Sequence, residues 1–306
     1  MAMENLSLAK KSKVSSVSLY RKQETVMGYA FIIPAVVLII VFLLLPAALA
    51  FIYSLTDFYL LKPDKMKFIG IENYAKLIKD ELFYKSLYNT FYFTLVVVPY
   101  QCGLALFLAI LINKKLKFTN LFRIAYFSPL ITSMTVVAIL WIFLYNPNQG
   151  LINSALNHLG IPNQPFLRSA KQAMNSIIFM SAWQAAGYQM MIFLAGLQNI
   201  PKDLYEAASI DGANAFQQFR YVTLPGLYNV TVFVLMITTI QAMKLFTQPY
   251  IMTQGGPENT TRTLAYYIYQ HGFQFRSVGY ASALSVVFFL VVVCISMFMR
   301  RFIKED

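Results

Sequence analysis

Charged residues divide this chain into long uncharged windows at 25–56, 86–113, 124–167, 172–201, 221–243 and 277–299. Each exceeds the roughly 20 residues that carry a helix across about 30 Å of hydrocarbon. Asn146-Pro147-Asn148-Gln149-Gly150 is a cluster of turn formers inside the third window, so its spanning part is read as 124–145. Lipid offers backbone groups no hydrogen bonds, which makes six such windows six helices rather than an open sheet. Pro34 and Pro46 are expected to kink the first of them.

Composition agrees with the pattern: of 306 residues, 58% are hydrophobic and only 12% charged. The formal charge of +12 is read as a topological signal. With the N-terminus inside, the inner segments carry fourteen Lys and Arg and the outer loops ten, six of these between 62 and 85. Both termini are basic, and an even number of spans predicts N-in, C-in. No basic stripe is interleaved with aromatics, so nucleic acid is not an expected partner. Residues 1–24 are polar and basic, and the apolar run behind them is too long for a signal peptide; it is kept as the first helix.

Cys102 and Cys294 fall within spans, and His158 and His271 stand alone in outer loops, so no metal site is expected. No Gly-x-x-x-x-Gly-Lys-Ser/Thr phosphate cradle occurs, hence no ATP site of that kind. No carboxylate lies within a span, which argues against ion-coupled transport. Lys244 is the one cation well inside the apolar region. It is placed near the outer end of the fifth span, where a long side chain can snorkel to the interface.

A polar segment, 199–225, lies between the fourth and fifth spans. Pro201 suits the first turn of a short helix and Asp203 its positive end. Leu204-Tyr205-Glu206-Ala207-Ala208 continues that helix, and Gly212 is expected to end it in the left-handed conformation. Asn214 with Gln217 reads as a capping box opening a second short helix through Phe216, Phe219 and Arg220, with Pro225 at its end.

Glu206-Ala207-Ala208, then Asp211-Gly212, then Leu224-Pro225, resembles the EAA loop of permease subunits in binding-protein-dependent importers. Phe68-Ile69-Gly70-Ile71-Glu72-Asn73-Tyr74, Asn89-Thr90, Phe122-Arg123 with Pro129, Tyr145-Asn146-Pro147 and Thr253-Gln254-Gly255-Gly256-Pro257 extend the likeness over nearly the whole chain. They are similar to the sugar permeases of that superfamily, the group that includes the maltose permease.

The resemblance implies an all-α membrane protein of six transmembrane helices with the type I ATP-binding-cassette importer permease fold, in the compact form. It implies a cytoplasmic tail at 1–26, a first helix and outer loop at 27–84, a transmembrane core at 85–299 and a second tail at 300–306. Tyr205, Glu206, Ala207, Ala208, Asp211 and Gly212 would dock an ATPase. The expected partners are a second permease, two nucleotide-binding subunits that hold the ATP and Mg, and a soluble solute-binding protein, in a bacterial cytoplasmic membrane. This chain itself would bind no cofactor and catalyse nothing.

For the substrate, an oligosaccharide or related sugar, the residue pattern offers Trp183, Gln184 and Tyr188 on the fourth span and Thr238 and Gln241 on the fifth. Spacings of four and three put Gln184 with Tyr188, and Thr238 with Gln241, on common helix faces. Tyr188 falls where the maltose permease also has a tyrosine, whereas Gln241 replaces an aromatic and Ala242 an asparagine. A permease for glycerol-phosphate or a polyol is the alternative, and an anionic substrate would call for cationic lining, for which Lys244 is the candidate.

Overall fold

Apolar length alone makes five continuous spans and one broken one in the computed structural model, which describes residue 25, residues 27–114 and residues 119–302. The elements are α1 (Met27–Ser54), α2 (Glu72–Ile78), α3 (Glu81–Asn113), α4 (Leu121–Ile131), α5 (Met134–Leu144), α6 (Leu151–His158) and α7 (Ala173–Asn199). They continue with α8 (Lys202–Ile210), α9 (Ala215–Gln218), α10 (Leu224–Gly226), α11 (Tyr228–Met243), α12 (Thr247–Met252), α13 (Leu264–Tyr269) and α14 (Val278–Arg300). The N-terminal tail apart from Thr25, the basic residues Lys115 and Lys117, and residues 303–306 lie outside the described residues.

The third window is not one straight span. Its halves, α4 and α5, meet at 101° across Thr132-Ser133. Pro129 removes a helical hydrogen bond just before the break, and the Thr and Ser hydroxyls compete for backbone groups there. An apolarity count misses this because none of these residues is charged. The first span holds its proline differently: a π-helical turn, Ile40–Leu44, precedes Pro46, which then opens the last helical stretch. The inserted turn accommodates the missing N–H.

The spans differ in what they face. Two thirds of the most apolar window of α7 is buried (67%), against none of that of α1. α7 is therefore the centre of the bundle, and α1 is an outlying helix that packs on α14. α7 lies along α3, with α4 and α11 against them. Ala105, Ala109, Ala138, Ala173 and Ala182 are fully buried, and Phe93, Ile177, Met180, Met190 and Phe193 fill the space between them. Small residues let helix backbones approach closely where lipid gives no hydrophobic drive for association.

Loop residues are tied to the bundle by side chains. Asn73 donates to the carbonyls of Ser54 and Thr56, both at 2.8 Å. Asn89 donates to those of Asn259 and Arg262, at 2.7 and 2.9 Å, and the Thr90 hydroxyl accepts from the Leu264 amide at 2.9 Å.

Asp80 joins three elements at the same end of the molecule. Its Oδ1 caps α3 by accepting from the amides of Leu82 (2.9 Å) and Phe83 (3.3 Å). Its Oδ2 accepts from the phenols of Tyr267 and Tyr280, both at 2.6 Å. Burial alone would raise this carboxyl, but the two phenols and the two amides outweigh it and hold it below its usual range. A depressed carboxylate contributes its stability in full above the unfolded value, about pH 4, and loses it as pH falls through the folded one. Asp80→Ala is expected to cost about 2 kcal/mol at neutral pH. Thermal melts should show the gap between variant and parent closing below about pH 4, and a gap independent of pH would assign it to packing instead.

Candidate substrate cavity and coupling loop

The two interruptions in the spans face one cavity. Leu130 and Met134 flank the α4–α5 break, and Lys244, Leu245 and Phe246 form the break between α11 and α12; all five line a space of about 290 Å³. Irregular backbone at membrane depth is stable only where protein covers it or it borders such a cavity. α3 adds Phe93, Val97 and Gln101, α7 adds Ser181, Gln184 and Ala185, and α11 and α12 add Thr238, Gln241 and Gln248. No carboxylate lines the space.

The polar lining falls into two groups. Gln184 donates to the Pro129 carbonyl at 3.3 Å, capping the broken end of α4. Thr238 accepts from Gln189 at 3.2 Å and lies 3.8 Å from the Cys102 sulfur, while Gln248 donates to Ser181 at 3.4 Å. These groups hold helix to helix. The side chains of Gln101, Gln241 and Lys244 make no hydrogen bond or ion pair among the described residues, which leaves two amides and one ammonium for a ligand.

Of the five candidates from the sequence, Gln184, Thr238 and Gln241 meet at the cavity. Trp183 and Tyr188 do not line it: Trp183 lies 5.4 Å from the Trp141 ring, and Tyr188 is 37% exposed on the outer surface of α7. Sequence reasoning missed Gln101 and Gln248. A lone amide in the otherwise apolar stretch 93–112 was the available signal for Gln101. Lys244 closes α11 as its cap and lines the cavity wall.

At the other end of α7 the 199–225 loop is held by its own hydrogen bonds. Gly212, at φ +80°, donates to Ser209 (3.1 Å), and Ala213 donates to Ala208 (2.9 Å), which completes a Schellman cap on α8. Asn214 and Gln217 form the reciprocal capping box of α9, at 2.8 and 2.9 Å. The Tyr205 phenol meets the Thr223 hydroxyl at 3.0 Å, and Gln218 reaches Ser209 at 2.9 Å, so α8 is clamped to the helix leading back into the bundle.

Two local expectations are corrected. Pro201 is the N-cap of α8, with Lys202 at the first position, because its ψ of 134° is extended. Pro225 does not end the second helix: a π turn, Phe219–Thr223, carries the chain into α10, where proline occupies an opening position that needs no N–H.

α8 buries none of its residues, and the Glu206 carboxylate makes no ion pair or hydrogen bond among the described residues. Leu204, Ile210, Phe216 and Tyr221 are 52 to 86% exposed on the same loop. One span, Tyr228–Met252, separates this loop from residues 253–277, so the two segments lie at opposite ends of the bundle.

Residues 83–305 match the family model described as "Binding-protein-dependent transport system inner membrane component". The chain is 37% identical over 272 residues to the arabinooligosaccharides transport system permease protein AraP of Bacillus subtilis, covering 88% of this chain and 86% of that one. It is 36% identical over 288 residues to the lactose transport system permease protein LacF of Rhizobium radiobacter, covering 92% and 95%. Among solved structures it resembles a chain of a bacterial ABC transporter that imports the acidic polysaccharide alginate, with a TM-score of 0.80, 21% identity and coverage of 92% and 97%, a likeness of fold. The all-α architecture is that of a type I importer permease, and the chain belongs to the family of inner-membrane components of binding-protein-dependent transport systems.

Proposed function

We propose that this chain, with a second permease, forms the path of an ATP-driven importer for an oligosaccharide delivered by a solute-binding protein. The observation that carries the reading is the cavity between the two helix breaks, with Gln101 and Gln241 free to bond hydroxyls. A few convergent polar groups in an otherwise apolar cavity suffice to orient a ligand. The names of the arabinooligosaccharide and lactose permeases support a sugar.

The coupling loop supplies the other half of the reading. Its clamped helices and exposed apolar side chains fit a groove on a nucleotide-binding subunit, a helix-in-groove contact. Two such subunits would bind the ATP and Mg, and their closure would move the bundle. The chain would sit in a bacterial cytoplasmic membrane with both termini and the coupling loop inside, as the basic flanks indicate.

Gln241→Ala is expected to raise the KM for sugar uptake about tenfold, as loss of one ligand hydrogen bond does, with unchanged amounts of protein in the membrane. A cysteine replacing Gln217 should resist a membrane-impermeant maleimide added to intact cells. Unaltered uptake in the first case, or ready labelling in the second, would sink the site or the orientation respectively.

Lys244 favours a second reading, an acidic sugar or glycerol-phosphate substrate, because its ammonium faces the cavity without an acidic partner. Lys244→Met separates the two. It abolishes uptake of an anionic substrate and spares that of a neutral one.

A further inference from the structure

A second polar recess of about 460 Å³ opens at the end of the bundle opposite the coupling loop, between α12 and the helical turns from 264 to 274. Tyr250, Gln254, Tyr266, Gln270 and Gln274 line it with Ile251, and no charged residue takes part. We propose that this recess is a saccharide subsite that receives the outer end of an oligosaccharide whose other end enters the inner cavity. The proposal rests on the sugar-import reading and extends it by assigning a chain-length preference.

Three observations carry it. Gln270, at the floor, is 7% exposed, and its Oε1 has no hydrogen-bond partner, while its Nε2 donates to the Tyr266 phenol at 3.4 Å. A buried carbonyl left without a donor is costly, and a sugar hydroxyl supplies one. Two rings, Tyr250 and Tyr266, line it with centroids 5.9 Å apart and tilted by 56°, and Phe246 backs Tyr250 by stacking on it at 5.3 Å and 13°. Aromatic faces interleaved with neutral amides suit the C–H faces and hydroxyls of a neutral sugar.

Continuity is the third observation. Phe246 lines the inner cavity and also lies within 5.0 Å of Tyr269 and 6.2 Å of Tyr266, so one ring separates the two spaces. The loop that carries Gln254 is fixed beforehand: Thr253 and Thr261 bond at 2.7 Å, Thr261 donates to the Gly256 carbonyl at 2.8 Å, and Asn89 holds the carbonyls of Asn259 and Arg262. A preformed site loses less entropy on binding.

The test measures uptake of di- and tetrasaccharides of the arabinose and maltose series by cells carrying the complete importer. Gln270→Leu and the exposed Gln274→Ala should raise KM for the tetrasaccharide about tenfold more than for the disaccharide. Gln241→Ala should affect both alike. Equal effects on the two lengths, or no effect from Gln274→Ala, overturn the subsite. Blocked maleimide labelling of a cysteine at position 274 in the assembled importer without sugar also overturns it, since the recess would then be a protein interface. Failure of the unaltered importer to take up any of these sugars refutes the sugar reading itself, and is distinguishable because no variant is involved.

Discussion

Glu206→Lys and Gly212→Val are each expected to reduce sugar uptake about a hundredfold or more, the scale at which a buried interface charge or an anchoring turn acts, while the protein remains in the membrane. Glu206 has no partner within the described chain, so reversing its charge removes nothing from the fold. A loss of uptake would therefore have to act through a subunit docked on α8. Gly212 works through the backbone. No heavy atom lies within 4 Å of a Cβ built there, so space is not the obstacle. The φ of +80° is, since a β-branched residue resists that region by about 1–2 kcal/mol and would release the Schellman cap. Uptake and membrane abundance measured side by side decide the matter, and normal uptake in both variants would mean that the loop does not couple.

The loop was legible because its signals are local. A glycine four residues beyond an Ala-Ala pair and an Asn three before a Gln specify backbone geometry without help from the rest of the chain, and both appear as read. The spans were legible for a similar reason: lipid imposes one rule on every uncharged window. The third window broke that rule quietly. Pro129, Thr132 and Ser133, which favour the break, are uncharged and leave its hydropathy high, so the turn of 101° does not show in an apolarity count.

The cavity was half legible, and the missing half is tertiary. Helical spacing puts Gln184 and Tyr188 on one side of α7, yet α4 covers Gln184 at the Pro129 carbonyl and leaves Tyr188 outside. Periodicity says which residues share a face; it does not say which neighbour that face meets. Lys244 makes the same point, because its place beyond the last turn of α11 becomes a cavity wall only when Phe246 and α12 fold back beside it. Asn89-Thr90 carried family likeness in the sequence, and in the structure they clasp a loop 170 residues away, between the α12 turn and α13.

Gly187→Val should keep the protein from accumulating at all, and even Gly187→Ala should lower its thermal midpoint in detergent. A Cβ at position 187 would stand 2.2 Å from the Tyr126 carbonyl oxygen and 3.2 Å from the Phe127 Cα. Both are backbone atoms of α4, so no side-chain rotation relieves the overlap, and α4 has to withdraw from α7. Overpacking of a closed helix crossing costs about 3 kcal/mol or more. Gly103 supplies the contrast, because nothing within 4 Å awaits a Cβ there and Gly103→Ala should accumulate and melt normally in detergent. The crossing also bears on transport. Gln184, three residues earlier on α7, caps the end of α4, so moving α4 opens the cavity wall at Leu130 as well as the core. Should Gly187→Ala accumulate with an unchanged midpoint, α4 does not rest on α7 at this crossing, and the broken span cannot form the wall assigned to it.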